Sequence, residues 1–148
     1  MLQEYYQNVF LKFKLNFYSQ IFARFETREA SLTVVEMICA EIIHALKSPT
    51  VNEFAQFTNI TAQNATHRIN SLVRKGYIIK SQSLDDKREY RLSVTDKFFR
   101  YYNISIAYVD EVVSRINDRF SPEELEIFTH VLKITDSELM PEVTKGDE

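Results

Sequence analysis

The chain has 148 residues, 45% of them hydrophobic and 26% charged, with a formal net charge of −3; this balance is typical of one compact domain and excludes a disordered or fibrous chain. Its single cysteine, Cys39, excludes an internal disulfide, a CxxC redox pair and a cysteine zinc cage. The first residues lack the basic segment of a signal peptide and no apolar run is long enough to span a bilayer, so a cytoplasmic protein without membrane contact is expected.

The first predicted element is a long helix over about residues 2–28 that carries two apolar stripes. A surface helix needs one apolar stripe, so two stripes indicate burial on more than one side. A helix packed on its own domain and on a second subunit would account for both stripes; an ordinary core helix of a monomer is the alternative. The stripes consist of Leu2, Tyr6, Phe10, Phe13, Phe17 and Ile21, and of Leu11, Leu15, Tyr18, Phe22 and Phe25.

A second helix is predicted over about residues 32–47, and Ser48 and Pro49 end it. Thr50 and Glu53 then have the spacing of a capping box, in which each side chain accepts a hydrogen bond from the other residue's backbone amide. A short third helix is therefore expected to begin at this point.

A tight turn is predicted between the third and fourth helices. Asn59 tolerates the left-handed conformation that such a turn requires, and Thr61 offers a hydroxyl N-cap to a helix over about residues 62–75. That helix has polar outer faces, and Gly76 is its expected C-terminal cap. Two short helices in this arrangement are typical of a helix-turn-helix. The apolar stripe of the fourth helix contains Ala65, Ile69, Leu72 and Val73.

Two segments with alternating side chains, 77–83 and 89–94, flank a charged stretch at 84–88. In the second segment Tyr90 and Leu92 point one way and the polar residues between them point the other way, which is the period of a half-buried strand. A hairpin with a charged tip directly after a helix-turn-helix is a wing.

Two helices are predicted to close the chain. The first, over about residues 95–120, has apolar residues at alternating spacings of four and three, which suits helix-on-helix packing. The second begins at a capping box of Ser121 and Glu124, with Pro122 at the first helical position. The polar tail 141–148 is expected to fray.

The charge is distributed unevenly along the chain. Residues 1–60 carry a net charge of −1, residues 61–100 carry +5 and residues 101–148 carry −7. A basic central segment between neutral and acidic ends is the pattern of a localised site for a polyanion, although a random surface can also produce it.

Motifs of catalysis and cofactor binding are absent from the sequence. With only Gly76 and Gly146 available, neither a GxGxxG loop nor a Walker phosphate loop can form, and there is no GxSxG or HExxH. Glu41 and His44 share a helix face, but no third metal ligand is evident, and a core-edge histidine is the simpler interpretation. We therefore expect no catalytic residue, no metal, no cofactor and no enzymatic activity.

The order and length of these elements resemble the MarR family of transcriptional regulators over nearly the whole chain. The most specific likeness is the wing motif Asp86-x-Arg88 followed by Leu92-x-Val94-Thr95-Asp96-Lys97, which is similar to the D-x-R wing of the family and its hydrophobic-threonine-acidic step into the fifth helix. Further landmarks are Phe54-Ala55, Ile60-Thr61, Leu72 and Lys75-Gly76. Two positions depart from the pattern and leave the subfamily open: Thr58 replaces a usual leucine, with Phe57 expected to fill the core, and Phe98 replaces a frequent glycine.

The resemblance implies a mainly α fold with a small β-wing, as one domain over residues 1–148. It places a winged helix-turn-helix lobe at 32–98 and dimerisation helices at 1–30 and 100–140. It also implies a homodimer that binds double-stranded DNA at a pseudo-palindromic operator, as a repressor or an activator. The two stripes of the first helix and the stripe within residues 102–120 favour a partner independently of the resemblance.

The helix at 62–75 is expected to enter the major groove of DNA. There Gln63 and Asn64 can make paired amide contacts to adenine, whereas Arg68 is expected to meet the backbone. At the wing tip Arg88 is expected to insert into the minor groove, and Asp86 either supports Arg88 and the wing or simply forms the turn. The full set of expected DNA contacts is Thr61, Ala62, Gln63, Asn64, Thr66, His67, Arg68, Asn70, Arg74, Lys87 and Arg88.

Other functions remain open at this level. The resemblance implies a small phenolic or acidic effector between the dimer helices and the lobe, where this chain offers Phe13, Phe17, Tyr18 and Tyr102; plain core packing is the alternative. Cys39 is either a thiol sensor or, given its apolar neighbours, a buried inert residue. A winged-helix module for protein–protein interaction and a metal-responsive member of the same fold complete the alternatives.

Overall fold

The computed structural model describes residues 1–26 and 32–146. It is mainly helical with one two-stranded antiparallel sheet, which confirms the predicted fold class. The predicted end of the first helix near residue 28 lies outside the described residues, as does the side chain of Phe25. The elements are α1 (Leu2–Glu26), α2 (Val34–Ala45), α3 (Val51–Thr58), α4 (Ala62–Arg74), β1 (Ile78–Gln82), β2 (Tyr90–Val94), α5 (Asp96–Arg119) and α6 (Pro122–Glu138).

Hydroxyl side chains begin four of the helices. The Thr50 hydroxyl accepts from the Glu53 backbone amide at 3.1 Å, while the Glu53 carboxylate lies 3.6 Å from the Arg91 guanidinium, so only the hydroxyl half of the predicted capping box is present. Ser121 and Glu124 form the complete box at the start of α6. Equivalent hydroxyl caps begin α2 and α4, at Thr33 and Thr61.

The turn between α3 and α4 has the conformation that the sequence predicts. Asn59 is left-handed, with φ 54° and ψ 41°. The Thr58 hydroxyl donates to the Phe54 carbonyl at 2.7 Å. The polar group of the residue that replaces the usual leucine therefore has a hydrogen-bond partner within its own helix. Phe57 does not fill the core in its place: its side chain is 45% exposed.

The strands β1 and β2 pair antiparallel, with Ile78 opposite Val94 and Gln82 opposite Tyr90. Leu92 is fully buried beneath the sheet, whereas Tyr90 is largely exposed. The Leu92 backbone amide donates to the Pro49 carbonyl at 2.9 Å, which joins the wing to the turn before α3.

The chain divides into two compact units, and the boundary falls inside α5. The first unit comprises residues 1–105 with the segment from Lys145, and the second comprises residues 106–144. The core of the first unit lies among α2, α3, α4, the sheet and the first turns of α5. Phe98 is 0% exposed there, so it occupies core volume at the position of the frequent glycine. The largest fully buried side chains of this core are Phe54, Phe98, Met37, Ile43, Ile69, Leu72, Ile78 and Leu92.

The second unit differs from the first in burial: none of the described side chains of residues 106–144 is buried. The helix α1 shares this property over most of its length, although Phe17 and Ile21 pack against the core of the first unit. Among the described residues, no helix combines the length and the hydropathy that a bilayer span requires.

Candidate nucleic-acid interface

The helix α4 presents one apolar face to the core and its remaining faces outward. Ala65, Ile69 and Leu72 are fully buried, whereas Val73, predicted to complete this stripe, is 37% exposed. At 3.6 residues per turn, the outward direction opposite the buried face is shared by four side chains. These are Gln63, His67, Asn70 and Arg74, all of them exposed.

A second row of α4 side chains lies between the outer face and α2. Arg68 is half-buried in this row and acts electrostatically on Cys39 of α2. Asn64 is exposed at the start of the same row, one turn before Arg68. The predicted contact residues of α4 are therefore divided between an outermost set and an edge close to α2.

The remaining predicted contacts of the α4 region occupy the start of the helix and its other edge. Ala62 is exposed and Thr66 is partly exposed. The Thr61 hydroxyl oxygen accepts from the Asn64 amide at 3.1 Å, which makes Thr61 the N-cap of α4. Thr61 itself is exposed at the start of the helix.

The wing tip is organised by hydrogen bonds of its own backbone. The Asp86 carboxylate accepts from the Arg88 backbone amide at 2.9 Å, and the Lys87 carbonyl accepts from the Gln82 side-chain amide at 2.6 Å. Asp86 thus forms the turn that presents residue 88, and its contact is with the backbone of Arg88. The side chains of Lys87 and Arg88 are exposed at the tip.

The base of the wing is attached to α3 by a residue that the sequence analysis did not single out. The Arg91 guanidinium donates to the Ser48 carbonyl at 3.2 Å and lies 3.6 Å from the Glu53 carboxylate. A bridge between Thr50 and Arg91 joins the same two segments. The only sequence indication was the outward position of Arg91 in the alternating strand, which does not reveal its partners.

The C-terminal end of α4 is held by a Schellman motif. The Gly76 amide donates to the Val73 carbonyl and the Tyr77 amide donates to the Leu72 carbonyl, each at 3.0 Å. Gly76 has φ +82°, a conformation that glycine adopts without a steric penalty. The predicted C-terminal cap is present.

A buried carboxylate on α2 also contacts this end of α4. Glu36 is 6% exposed; it accepts from the Lys75 ammonium at 2.8 Å and from the Ser71 hydroxyl at 3.1 Å. Burial raises the pKa of Glu36, but the hydrogen bonds from Lys75, Thr33 and Ser71 and the positive charge of Lys75 outweigh it, so the pKa lies below its ordinary value. The sequence analysis does not predict a role for Glu36. The only indication in the sequence is that an acidic residue stands within the largely apolar α2.

Cys39 is buried, with 5% of its surface exposed. Burial, which outweighs the opposing charge of Arg68, raises the pKa of its thiol. The thiol form of a buried cysteine is a poor nucleophile. These properties favour the inert residue over the thiol sensor.

The four aromatic residues of the expected effector pocket lie on two helices, with Phe13, Phe17 and Tyr18 on α1 and Tyr102 on α5. Phe17 and Tyr18 have ring centroids 6.2 Å apart on α1, and Phe13 is half-buried on the same helix. Tyr102 also lines a cavity of about 680 Å³ at the end of α2, β2 and the start of α5. The effector pocket with these four residues stays a prediction.

His44 lies in an aromatic cluster beside this cavity. Its ring centroid is 4.8 Å from that of Tyr102, 5.3 Å from that of Phe99 and 5.4 Å from that of Phe98. Burial, with a smaller contribution from the charge of Lys47, lowers the pKa of His44. Among the described residues, no group of three or more histidine, cysteine or acidic side chains is placed to hold a metal ion.

Comparisons with known proteins agree with this geometry. Residues 32–90 match the model of the MarR family, which confirms the family resemblance seen in the sequence. The chain is 25% identical over 103 residues to the HTH-type transcriptional regulator Hpr of Bacillus mycoides (strain KBAB4), covering 70% of this chain and 50% of that protein. The chain thus spans about half the length of the curated relatives it matches. The name of this relative describes a regulator of transcription and no enzyme.

Two solved structures show the fold. A MarR family protein from Bacillus stearothermophilus aligns with a TM-score of 0.66 at 14% identity, covering 93% of this chain and 92% of that one. Streptococcus pneumoniae FabT in complex with DNA aligns with a TM-score of 0.54 at 22% identity, covering 90% of this chain and 96% of that one. The winged helix-turn-helix fold is therefore established.

Proposed function

With residues 32–90 matching the MarR family, we propose that this chain is a DNA-binding transcriptional regulator that acts as a homodimer on a pseudo-palindromic operator. The observation that carries the proposal is the combination, on one lobe, of an outward polar face on α4 and a wing tip with two exposed cations. The relative's name and the solved DNA complex of a protein with this fold support it.

In this proposal α4 lies in the major groove with its outermost row toward the bases. The Gln63 amide can make a paired contact with adenine, and His67 can donate to guanine or to phosphate. Arg74, at the other end of the row, meets the DNA backbone and sets the register of the helix. Arg68 and Asn64 contribute from the edge near α2.

The wing supplies the second contact of each lobe. Arg88 extends from a tip whose backbone is held by Asp86 and by the Gln82 side chain. A fixed tip lowers the entropy lost when an arginine enters the minor groove, where A-tracts concentrate negative potential. Lys87 adds a phosphate contact beside it.

The homodimer follows from apolar surface that the single chain leaves exposed. Monomeric proteins seldom expose large contiguous apolar patches, and such surfaces mark association sites. A two-fold pair of lobes would place two α4 helices on one DNA face, at half-sites about 10 bp apart. On α1 the exposed residues include Leu2, Tyr5, Tyr6, Val9, Phe10, Leu15 and Phe22, and on α6 they include Ile127, Phe128, Val131 and Leu132, with Leu139 directly after the helix.

A small-molecule effector is part of the proposal, at the cavity that Tyr102 lines. The lining combines the aromatic ring of Phe99 with the charged side chains of Glu41, Lys47 and Lys145. Such a mixture suits a small amphipathic ligand, because the rings bury an apolar body while charged groups orient its polar end.

The test is binding to double-stranded DNA at several salt concentrations, first with random duplex and then with an operator selected from genomic fragments. Wild-type protein should bind random duplex with an affinity that falls steeply with salt. Absence of binding to any duplex at low ionic strength would contradict the proposal and favour a protein–protein module.

The variant Gln63→Ala then tests the assignment of base contacts. It should weaken the selected operator by about tenfold while random duplex changes little, because a paired base contact carries about 1–3 kcal/mol of discrimination. Thr129→Ala, an exposed α6 residue, is the control. If Gln63→Ala weakens all sequences equally, Gln63 contacts only the backbone.

A further inference from the structure

We infer that Glu36 is a positioning residue, which sets the orientation of α4 for base recognition by holding Ser71 and Lys75 against α2. This inference rests on the proposed DNA-binding function and concerns a residue outside the DNA-contacting face. We call Glu36, Ser71, Lys75 and Lys97 the α4 junction.

Three helices meet at the α4 junction. The Glu36 carboxylate of α2 accepts from Ser71 at 3.1 Å and from Lys75 at 2.8 Å. The carbonyl of Lys75 in turn accepts from the ammonium of Lys97, on the first turn of α5, at 2.7 Å. The Lys97 ammonium also lies 4.6 Å from the centroid of the Tyr77 ring, and the Thr95 hydroxyl donates to the Gly76 carbonyl at 2.6 Å. The end of α4 is therefore held from two directions.

The hydrogen bonds of the α4 junction depend on the angle between their groups, whereas the apolar core contacts of α4 do not. Ala65, Ile69 and Leu72 bury apolar surface, and that effect depends on area and little on angle. A hydrogen bond to a buried carboxylate weakens steeply when its geometry is distorted. The junction therefore restricts small rotations of α4 that the apolar face alone would tolerate.

Small rotations matter because the base-reading residues are far from the junction. Gln63 precedes Lys75 by twelve residues, which corresponds to about 18 Å along a helix. A tilt of about 4° at the junction would move Gln63 by about 1 Å, and a displacement of that size is enough to break a hydrogen bond to a base edge. Contacts to phosphates, made by long flexible cations, would tolerate the same shift.

The junction also accounts for Lys75, a cation at the end of the recognition helix. Lys75 is the C-cap residue of α4, and its ammonium is 2.8 Å from a carboxylate with 8% side-chain exposure. The adjacent Arg74 is exposed on the outermost row. Neighbouring cations of one helix thus have different roles, and this difference provides a matched test.

The experiment measures operator affinity, random-duplex affinity and their salt dependence for Glu36→Gln, Lys75→Met and Arg74→Met, with Glu126→Gln on α6 as the control. Glu36→Gln and Lys75→Met should each weaken operator binding by about tenfold, leave random-duplex binding within about twofold and leave the salt slope unchanged. Arg74→Met should weaken both DNAs alike and lower the salt slope by about one per subunit, because it removes a phosphate contact.

The double variant Glu36→Gln/Lys75→Met should be no weaker than either single variant, because both remove the same contact. In the absence of DNA, the Gln63 backbone amide signal in NMR spectra should shift in Glu36→Gln and stay in place in Glu126→Gln. If Glu36→Gln unfolds the protein, Ser71→Ala, which leaves the ion pair intact, should show the same loss of discrimination at a smaller magnitude.

Several results would overturn the inference. If Glu36→Gln lowers the melting temperature but preserves the ratio of operator to random-duplex affinity, Glu36 has only a structural role. If Lys75→Met lowers the salt slope as Arg74→Met does, Lys75 contacts phosphate. If wild-type protein binds no duplex, the proposed function is wrong and the positioning role is wrong with it. If wild-type protein binds DNA and the variants discriminate between operator and random duplex as well as wild type does, only the positioning role is rejected.

Discussion

The winged-helix lobe and the segment 106–144 differ in where their apolar side chains lie. In the lobe, Phe54, Ile69 and Phe98 are 0% exposed. In the segment 106–144, apolar residues such as Val131 of α6, at 53% exposure, and Leu139, at 66%, are exposed to solvent. The lobe buries its large apolar side chains in its own core, whereas this segment leaves apolar side chains exposed on the surface of the chain.

The helix α1 resembles the segment 106–144 in this respect. Tyr5 is 64% exposed and Phe22 is 71% exposed, although Phe17 nearby packs on the lobe core. Among the α1 side chains that the structure describes, Phe17 and Ile21 of one stripe pack against the lobe core, whereas Leu15 and Phe22 of the other stripe are exposed. The comparison shows that the same residue types stabilise the lobe internally and, elsewhere, remain exposed on the surface of the chain, where we propose that a second copy packs.

The largest expected effect comes from breaking the association surface on α6. Val131→Glu should convert the dimer to a monomer and weaken operator binding by about a hundredfold or more, because two linked half-sites gain roughly 10²–10⁴ in avidity. Sedimentation velocity and operator titration measure both effects. Thr129→Glu, on the opposite side of α6 by helical period, is the control. A Val131→Glu protein that stays dimeric would show that α6 does not form the interface.

A substitution within the lobe should act on folding stability. Phe54→Ala should lower the free energy of unfolding by about 3–5 kcal/mol, because it opens a cavity in a fully buried site. Phe128→Ala on α6, measured in the monomeric Val131→Glu background, should cost under about 1 kcal/mol, since the ring is 46% exposed. Urea denaturation compares the two. Equal losses would mean that α6 is as well packed as the lobe.

The wing should affect DNA affinity without affecting association. Arg88→Ala should weaken operator binding by about tenfold and lower the salt slope by about one per subunit, because a released counterion is lost. Lys133→Ala on α6 removes a cation without changing either quantity. The measurement is a salt titration of both variants. An unchanged affinity and slope in Arg88→Ala would remove the wing from the mechanism.

The smallest expected effect is a pH dependence of lobe stability. The pKa of His44 is lowered, mainly by burial and partly by Lys47, so the unfolded chain binds a proton at a higher pH than the folded chain does. The free energy of unfolding should therefore fall as the pH drops from about 7 through the lowered pKa of His44. His44→Phe, which keeps an aromatic ring among Phe98, Phe99 and Tyr102, should reduce this fall in urea titrations at pH 7.5 and 5.5. An identical pH dependence in both proteins would assign the effect to other groups.

Local structure was largely predictable from the sequence. The N-caps at Thr50, Thr61 and Ser121, the left-handed Asn59 and the C-terminal cap at Gly76 depend on hydrogen bonds between residues at most five positions apart. Such contacts depend on residue type and spacing, which a sequence shows directly.

The partners of individual side chains were not predictable in this way. Phe98 is buried in the core, whereas Phe57 is exposed. The Asp86 carboxylate accepts a hydrogen bond from the backbone amide of Arg88 and not from its side chain.

Fold class, helix boundaries and the polar face of α4 follow from periodicity and capping, since these express interactions within one or two helical turns. The inward orientation of Lys75 depends on a carboxylate at Glu36, 39 positions earlier in the chain. Only the packing of α2 against α4 brings these two groups within 2.8 Å. The role of a long polar side chain therefore depends on which distant segment packs beside it. The residues next to it in the sequence do not indicate that contact.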